Sequence, residues 1–136
     1  MEIREKIVIF NEADEILKKR GIISEVRKVE VEALVDTGAV MMLISQDMKE
    51  YLGLEDKGEV IAVLADERRI EFAKAGTVRV EIAGRSFSTD CLVGPPGCEV
   101  LVGHLILEAL DLVIDSLKGE VTPRPESPFL PTLKMK

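Results

Sequence analysis

Leu34-Val35-Asp36-Thr37-Gly38-Ala39 is the stretch on which the reading of this chain turns. The segment before it, Val29-Glu30-Val31-Glu32-Ala33, alternates apolar and acidic residues, the pattern of a half-buried strand. Leu34-Val35 carries that strand into an apolar interior, so the carboxylate of Asp36 emerges where the chain must turn. Gly38 permits the turn and leaves room for another backbone or a ligand to come close. An Asp-Thr-Gly triplet alone is weak, because Asp and Gly are common turn residues; its setting at the end of a strand is what gives it weight.

Outward from this loop the chain reads as many short strands with few helices, hence a mostly-β domain. Lys6–Phe10 is a candidate strand, followed by a short helix capped by Asn11, with Asp14 in its first turn and Gly21 at its end. Ser45 is a candidate N-cap for a second helix that runs through Leu52 and stops at Gly53. The period then shifts to two. Glu59–Ala65 and Ile70–Ala75 flank the polar tip Asp66-Glu67-Arg68-Arg69 as a hairpin, and Thr77–Ile82 turns through Ala83-Gly84 into Arg85–Val93. Gly94-Pro95-Pro96-Gly97 is a loop. Val100-Leu101-Val102 is a buried strand, His104–Leu112 a helix, and Val113–Asp115 and Glu120–Thr122 two last strands. The organisation expected is an N-terminal extension over residues 1–28 packed on the domain, a domain over 29–122, and a Pro-rich extended tail over 123–136.

The chain has 136 residues, 46% of them apolar, enough for one domain with a real core. It lacks tryptophan, so aliphatic residues and methionine must fill that core. A net charge of −7 argues against nucleic acid, which favours a basic face. No apolar run approaches the roughly 20 residues that cross a bilayer, so no membrane partner is expected. The N-terminus carries charges of both signs with no signal-peptide pattern, and a cytoplasmic location is the expectation. Cys91 and Cys98 are too few for a disulfide scaffold or a zinc site and read as reduced, structural residues. His104 is the only histidine, which leaves no multi-histidine metal site and makes a Cys-His nucleophile pair a minor alternative. Met41-Met42 reads as core. No metal and no cofactor are expected.

The order of parts resembles the retropepsin-like aspartic peptidases: retroviral proteases, the retroviral-protease-like domain of eukaryotic ubiquitin-shuttle proteins, and small prokaryotic single-domain proteins of the same clan. Three segments carry the resemblance: Leu34–Ala39, the apolar Val40–Ser45 that follows it, and Val100-Leu101-Val102-Gly103 with Leu107 about 65 residues on. The Glu59–Ala75 hairpin stands where such enzymes keep a flap over the substrate. Retroviral flaps are glycine-rich at the tip, whereas this one reads Ala65-Asp66-Glu67-Arg68-Arg69. The resemblance implies a retropepsin-like closed β-barrel, half of an acid-protease site, completed in a homodimer.

Hydrolysis by this route needs two carboxylates about 3 Å apart sharing one proton, since like charges that close cannot both ionise. The chain has one Asp-Thr-Gly and no internal repeat, so the second carboxylate is expected from Asp36 of another copy across a two-fold axis. Thr37 is expected to hydrogen-bond around that axis and the Gly38 N–H to donate to a carboxylate. Ala33, Ala39, Ile61, Val63, Ala65, Asp66 and Val102 are the expected contacts of an extended peptide or protein substrate. Two readings follow: an aspartic endopeptidase, or a dimer of the same fold that binds peptides without cleaving them.

Overall fold

The computed structural model describes residues 2–135. Among these residues nine strands and three helices follow one another in the order β1 (Ile3–Asn11), α1 (Glu12–Lys19), β2 (Lys28–Val35), β3 (Leu43–Ser45), α2 (Gln46–Leu52), β4 (Glu55–Val63), β5 (Arg69–Ile82), β6 (Arg85–Gly94), β7 (Leu101–Val102), α3 (His104–Ala109), β8 (Leu112–Asp115) and β9 (Glu120–Pro123). Seven of the strands form one sheet in the order β1-β2-β7-β3-β6-β5-β4, and β1 also pairs with β5, so the sheet turns back on itself. β8 and β9 form a separate hairpin. The core gathers the inward residues of these strands with the buried face of α3: Ile7, Ile9, Ile44, Val78, Val80, Val102 and Ile106 are all essentially inaccessible.

Local signals explain the helices. Asn11 accepts the Asp14 N–H and Ser45 accepts the Met48 N–H, each a side-chain oxygen meeting an orphan donor of the first turn. Gly53 closes α2 in the left-handed region at φ 64°. α3 is shorter than the sequence pattern suggests, ending at Ala109 where His104–Leu112 was expected. Asp111 takes a positive φ of 52°, which turns the chain out of the helix and starts β8 at Leu112.

A second difference concerns β5. The sequence reading places separate strands at Ile70–Ala75 and Thr77–Ile82, but one 14-residue strand runs through both. The register against β6 shifts between Ala75 and Val78, a bulge that absorbs the break in alternation without ending the strand. Gly76 sits at this bulge against Asp90; a Cβ there would lie 2.2 Å from Asp90 Oδ1.

The tail beyond Pro123 has no regular structure, yet it is held. Asp111, 6% exposed, accepts hydrogen bonds from the Ser127 hydroxyl, from Arg124 Nε at 2.8 Å and from the Thr132 N–H at 3.0 Å. Arg85 donates from the other side to the carbonyls of Leu110, Asp111 and Ser127. Among the described residues no helix is long and apolar enough to cross a membrane.

Candidate active site

β2 delivers Asp36 to its position. Its last residues pair in parallel with the two-residue strand β7, Leu34 beside Leu101 and Val35 beside Val102, and the Asp36 N–H donates to Val102 O at 2.9 Å. β7 in turn lies against β3, so the loop 36–42 leaves and re-enters the sheet on the two sides of one short strand. Two bonds shape the turn: Gly38 N–H donates to Asp36 Oδ1 at 2.9 Å, and Ala39 N–H donates to Asp36 O at 3.1 Å. The first of these fixes the carboxylate's rotamer by a backbone donor rather than by a partner side chain.

The far side of the loop is braced by α3. His104 N–H donates to Ala39 O at 2.7 Å and Leu105 N–H to Val40 O at 3.0 Å, satisfying two orphan donors of the helix start with loop carbonyls. Gly103 makes this approach possible. A Cβ there would meet the carbonyl oxygens of Ala39, Val40 and Met41 at 2.7, 2.8 and 2.9 Å. Glycine is therefore required by contact, not by backbone angle, since φ is −95°.

Asp36 opens into a cleft of about 670 Å³ between this loop and the β4–β5 hairpin. Asp36 is its one ionisable lining residue; Val40, Met41, Leu43, Ile61, Val63 and Phe72 are among the rest. Ile61 and Val63 are 61% and 62% exposed, so an apolar wall stands open to solvent opposite a half-buried carboxylate. Such an open apolar surface beside a single positioned polar group has the character of a binding site.

The family model described as "gag-polyprotein putative aspartyl protease" matches residues 23–109, which hold β2, the Asp36 loop, the hairpin, β7 and α3. The chain belongs to this retropepsin-like family. Solved structures give the same fold. The retroviral protease-like domain of Ddi1 from Leishmania major is 17% identical, with a TM-score of 0.58 over 92% of this chain and 90% of its own. EIAV protease in complex with the inhibitor HBY-793 is 16% identical, with a TM-score of 0.51 over 80% of this chain and 88% of its own. No curated protein matches.

In this retropepsin-like domain, Asp36, Gly38, Ala39, Ile61, Val63 and Ala65 come together around the cleft. Thr37 is exposed beside it. Ala33 and Val102 are wholly buried and do not line the cleft, because strand alternation turns them to the core; Leu101 reaches the cleft from the neighbouring position. Asp66 lies at the hairpin tip, where its carboxylate accepts from Arg68 N at 3.1 Å and Arg68 Nε at 2.5 Å. Met42 is buried in the core as its apolar character suggests, but Met41 lines the cleft. Sequence reasoning missed Val40, Met41, Leu43 and Leu101 as cleft residues. Their apolar character fits core and cleft wall equally, so only the placement of β3 and β7 separates the two roles.

The remaining titratable residues lie apart from this cleft. His104 is exposed and pairs with Glu108 one turn on, at 2.8 Å. Cys91 and Cys98 are both free thiols; burial pushes the Cys91 thiol up to about 12, which leaves it unreactive at neutral pH. Among the described residues no group of three or more His, Cys, Asp or Glu side chains could hold a metal ion.

Proposed function

We propose that the protein is an aspartic endopeptidase acting as a homodimer, with Asp36 of each copy supplying one carboxylate of the catalytic pair. The observation that carries this reading is the cleft itself, in which a single rigidly oriented carboxylate faces an open apolar wall with no second ionisable group. One carboxylate cannot act as both base and acid at once, so the site calls for a second copy. Thr37, exposed next to Asp36, is free to hydrogen-bond across the two-fold axis.

In the assembled pair one proton is shared, and its titration belongs to the dyad rather than to either residue. The ionised carboxylate takes a proton from a water as that water attacks the peptide carbonyl. The protonated one donates to the developing oxyanion. Collapse of the tetrahedral intermediate breaks the C–N bond, with a proton from the dyad passing to the leaving amine. The substrate lies extended between the hairpin and the loop. Ile61, Val63, Ala65, Ala39 and Leu101 form apolar subsites, and Asp66, outside the cleft lining, stands in the turn at the hairpin tip.

The test is hydrolysis of a quenched fluorogenic peptide library with apolar residues flanking each bond, followed from pH 3 to 7. Activity is expected to peak below neutral pH and to fall by at least about 10³-fold in Asp36→Asn, the loss typical of removing an essential group. A rate unchanged by that substitution would exclude the mechanism. A second reading, a dimer that binds peptides without cleaving them, draws on the hairpin tip. There the Asp66–Arg68 ion pair and the positive φ of Glu67, 68°, replace the glycine-rich turn of a mobile flap. It predicts peptide binding with no product at any pH.

A further inference from the structure

A concavity larger than the cleft lies elsewhere on the described residues. It is a groove of about 870 Å³ where α1 and the connection that follows it lie over the end of the β1–β2 hairpin. Its floor is apolar and fixed. The Phe10 ring lies 4.3 Å beneath the Arg79 guanidinium, and Ile16 and Val26 flank it. Arg79 is held in turn by two hydrogen bonds to Glu15, at 2.8 and 2.9 Å. The walls are pinned by Asp14, whose buried carboxylate takes the Arg27 backbone N–H at 3.0 Å and its guanidinium at 2.8 and 3.0 Å.

Charge sets this groove apart. Four basic and three acidic side chains line it, a formal charge of +1 in a chain of −7, whereas the cleft carries Asp36 alone and a third, smaller concavity carries Lys6, Glu30 and Glu32. Arg79 is neutralised by Glu15 and Glu81, and Glu12 accepts from Ser88. Lys18, Lys19 and Lys28 make no ion pair among the described residues. Three exposed ammonium groups free of carboxylate partners therefore rim the groove, that of Lys28 also lying 5.9 Å from the Phe10 ring centre. The family match begins at residue 23, so α1 and Phe10 lie outside it, while Ser24, Glu25, Val26, Lys28 and Arg79 of the groove lie within it.

We propose that this groove docks an acidic peptide segment of a protein partner, with the carboxylates meeting Lys18, Lys19 and Lys28 and an apolar side chain covering Phe10 and Ile16. Charge complementarity selects the partner, and the rigid floor limits the ordering cost of binding. The groove lies at the Phe10–Lys28 end of the β1–β2 pair and Asp36 follows the Ile3–Val35 end, seven residue steps or roughly 24 Å away. Docking is thus independent of the cleft and stands whether or not the dimer cleaves.

The test uses the full chain carrying Asp36→Asn, so that the outcome does not depend on hydrolysis. The probe is a capped synthetic octapeptide alternating Glu with Leu, titrated by NMR at low and at 0.5 M salt. Amide shifts are expected at Phe10, Ile16 and Lys28, with binding weakened by salt. The triple variant K18E/K19E/K28E is expected to bind at least about tenfold more weakly, and E25K more tightly. The proposal is overturned if the peptide does not bind, if a Gln-for-Glu version binds equally, if the shifts fall in the cleft, or if the triple variant binds unchanged. Lysine-dependent binding to phosphatidylserine vesicles in place of the peptide would overturn it in favour of a membrane-surface contact.

Discussion

A methyl group added at Gly103 would lie within 2.9 Å of three backbone carbonyl oxygens, none of which can rotate away. Gly103→Ala is therefore expected to cost about 3 kcal/mol, the upper range for overpacking, measured by urea denaturation. Asp111 is the other residue on which much converges. The Ser127 hydroxyl, then Arg124 and the Thr132 N–H, hold its carboxyl down to about 2, below the usual carboxylate range. A lowered folded value means that its contribution is present above pH ~4 and is lost as pH falls toward 2. The tail should consequently stay clasped in the mild acid where a carboxylate dyad works. Asp111→Asn is expected to lower the melting temperature at pH 6 and to flatten its dependence between pH 5 and 2. Asp36 was legible in the sequence because its signal is local, a turn triplet after a strand, and Gly103 stood out only through the family resemblance carried by Val100-Leu101-Val102-Gly103. Asp111 was not, since its partners lie 13, 16 and 21 residues on and nothing nearby marks it as their common acceptor.

Among the elements, helices with caps and strands with clean alternation were legible, and the boundaries set by tertiary contact were not. Asn11, Ser45 and Gly53 announced α1 and α2 through hydrogen bonds made within four residues. The continuity of β5 through Gly76 depends on its partner β6, and the early end of α3 depends on where Asp111 must point. α1 is secured at its N-terminal end, by Asn11 Nδ2 donating to Leu52 O at the end of α2 at 2.8 Å and by Asp14 holding Arg27 just before β2. Asp14→Ala leaves the backbone and side-chain donors of Arg27 without their acceptor. The loss is expected to be about 1–3 kcal/mol, with the amides of residues 20–27 losing hydrogen-exchange protection before the sheet does. Arg27 is half exposed, so water takes up part of the deficit and the lower half of that range applies.

For the whole molecule, composition and charge bounded the class, while the cleft came from pairings distant in sequence: β2 with β7, and β3 with β6. An apolar residue gives no sign of whether it faces a core or a cleft, which is why Leu101 and Met41 went unread there. Assembly has its own signature. If each active site takes Asp36 from two copies, mixing wild-type chain with Asp36→Asn at fixed total concentration makes hybrid pairs that lack one carboxylate. An equimolar mixture, allowed to exchange, should retain about a quarter of the wild-type activity, the fraction of pairs with both carboxylates intact. Retention of about half would mean that one copy suffices. Specific activity should also fall on dilution, as pairs separate.

The bonds from His104 and Leu105 to the carbonyls of Ala39 and Val40 tie the start of a helix to the turn that presents Asp36. Neither can loosen without the other, because each carbonyl released leaves a helix-end donor without its acceptor. The solvent-exchange rates of those two amides thus act as a clock for the reactive turn. They can be read at single-residue resolution in the resting protein, before any substrate is known.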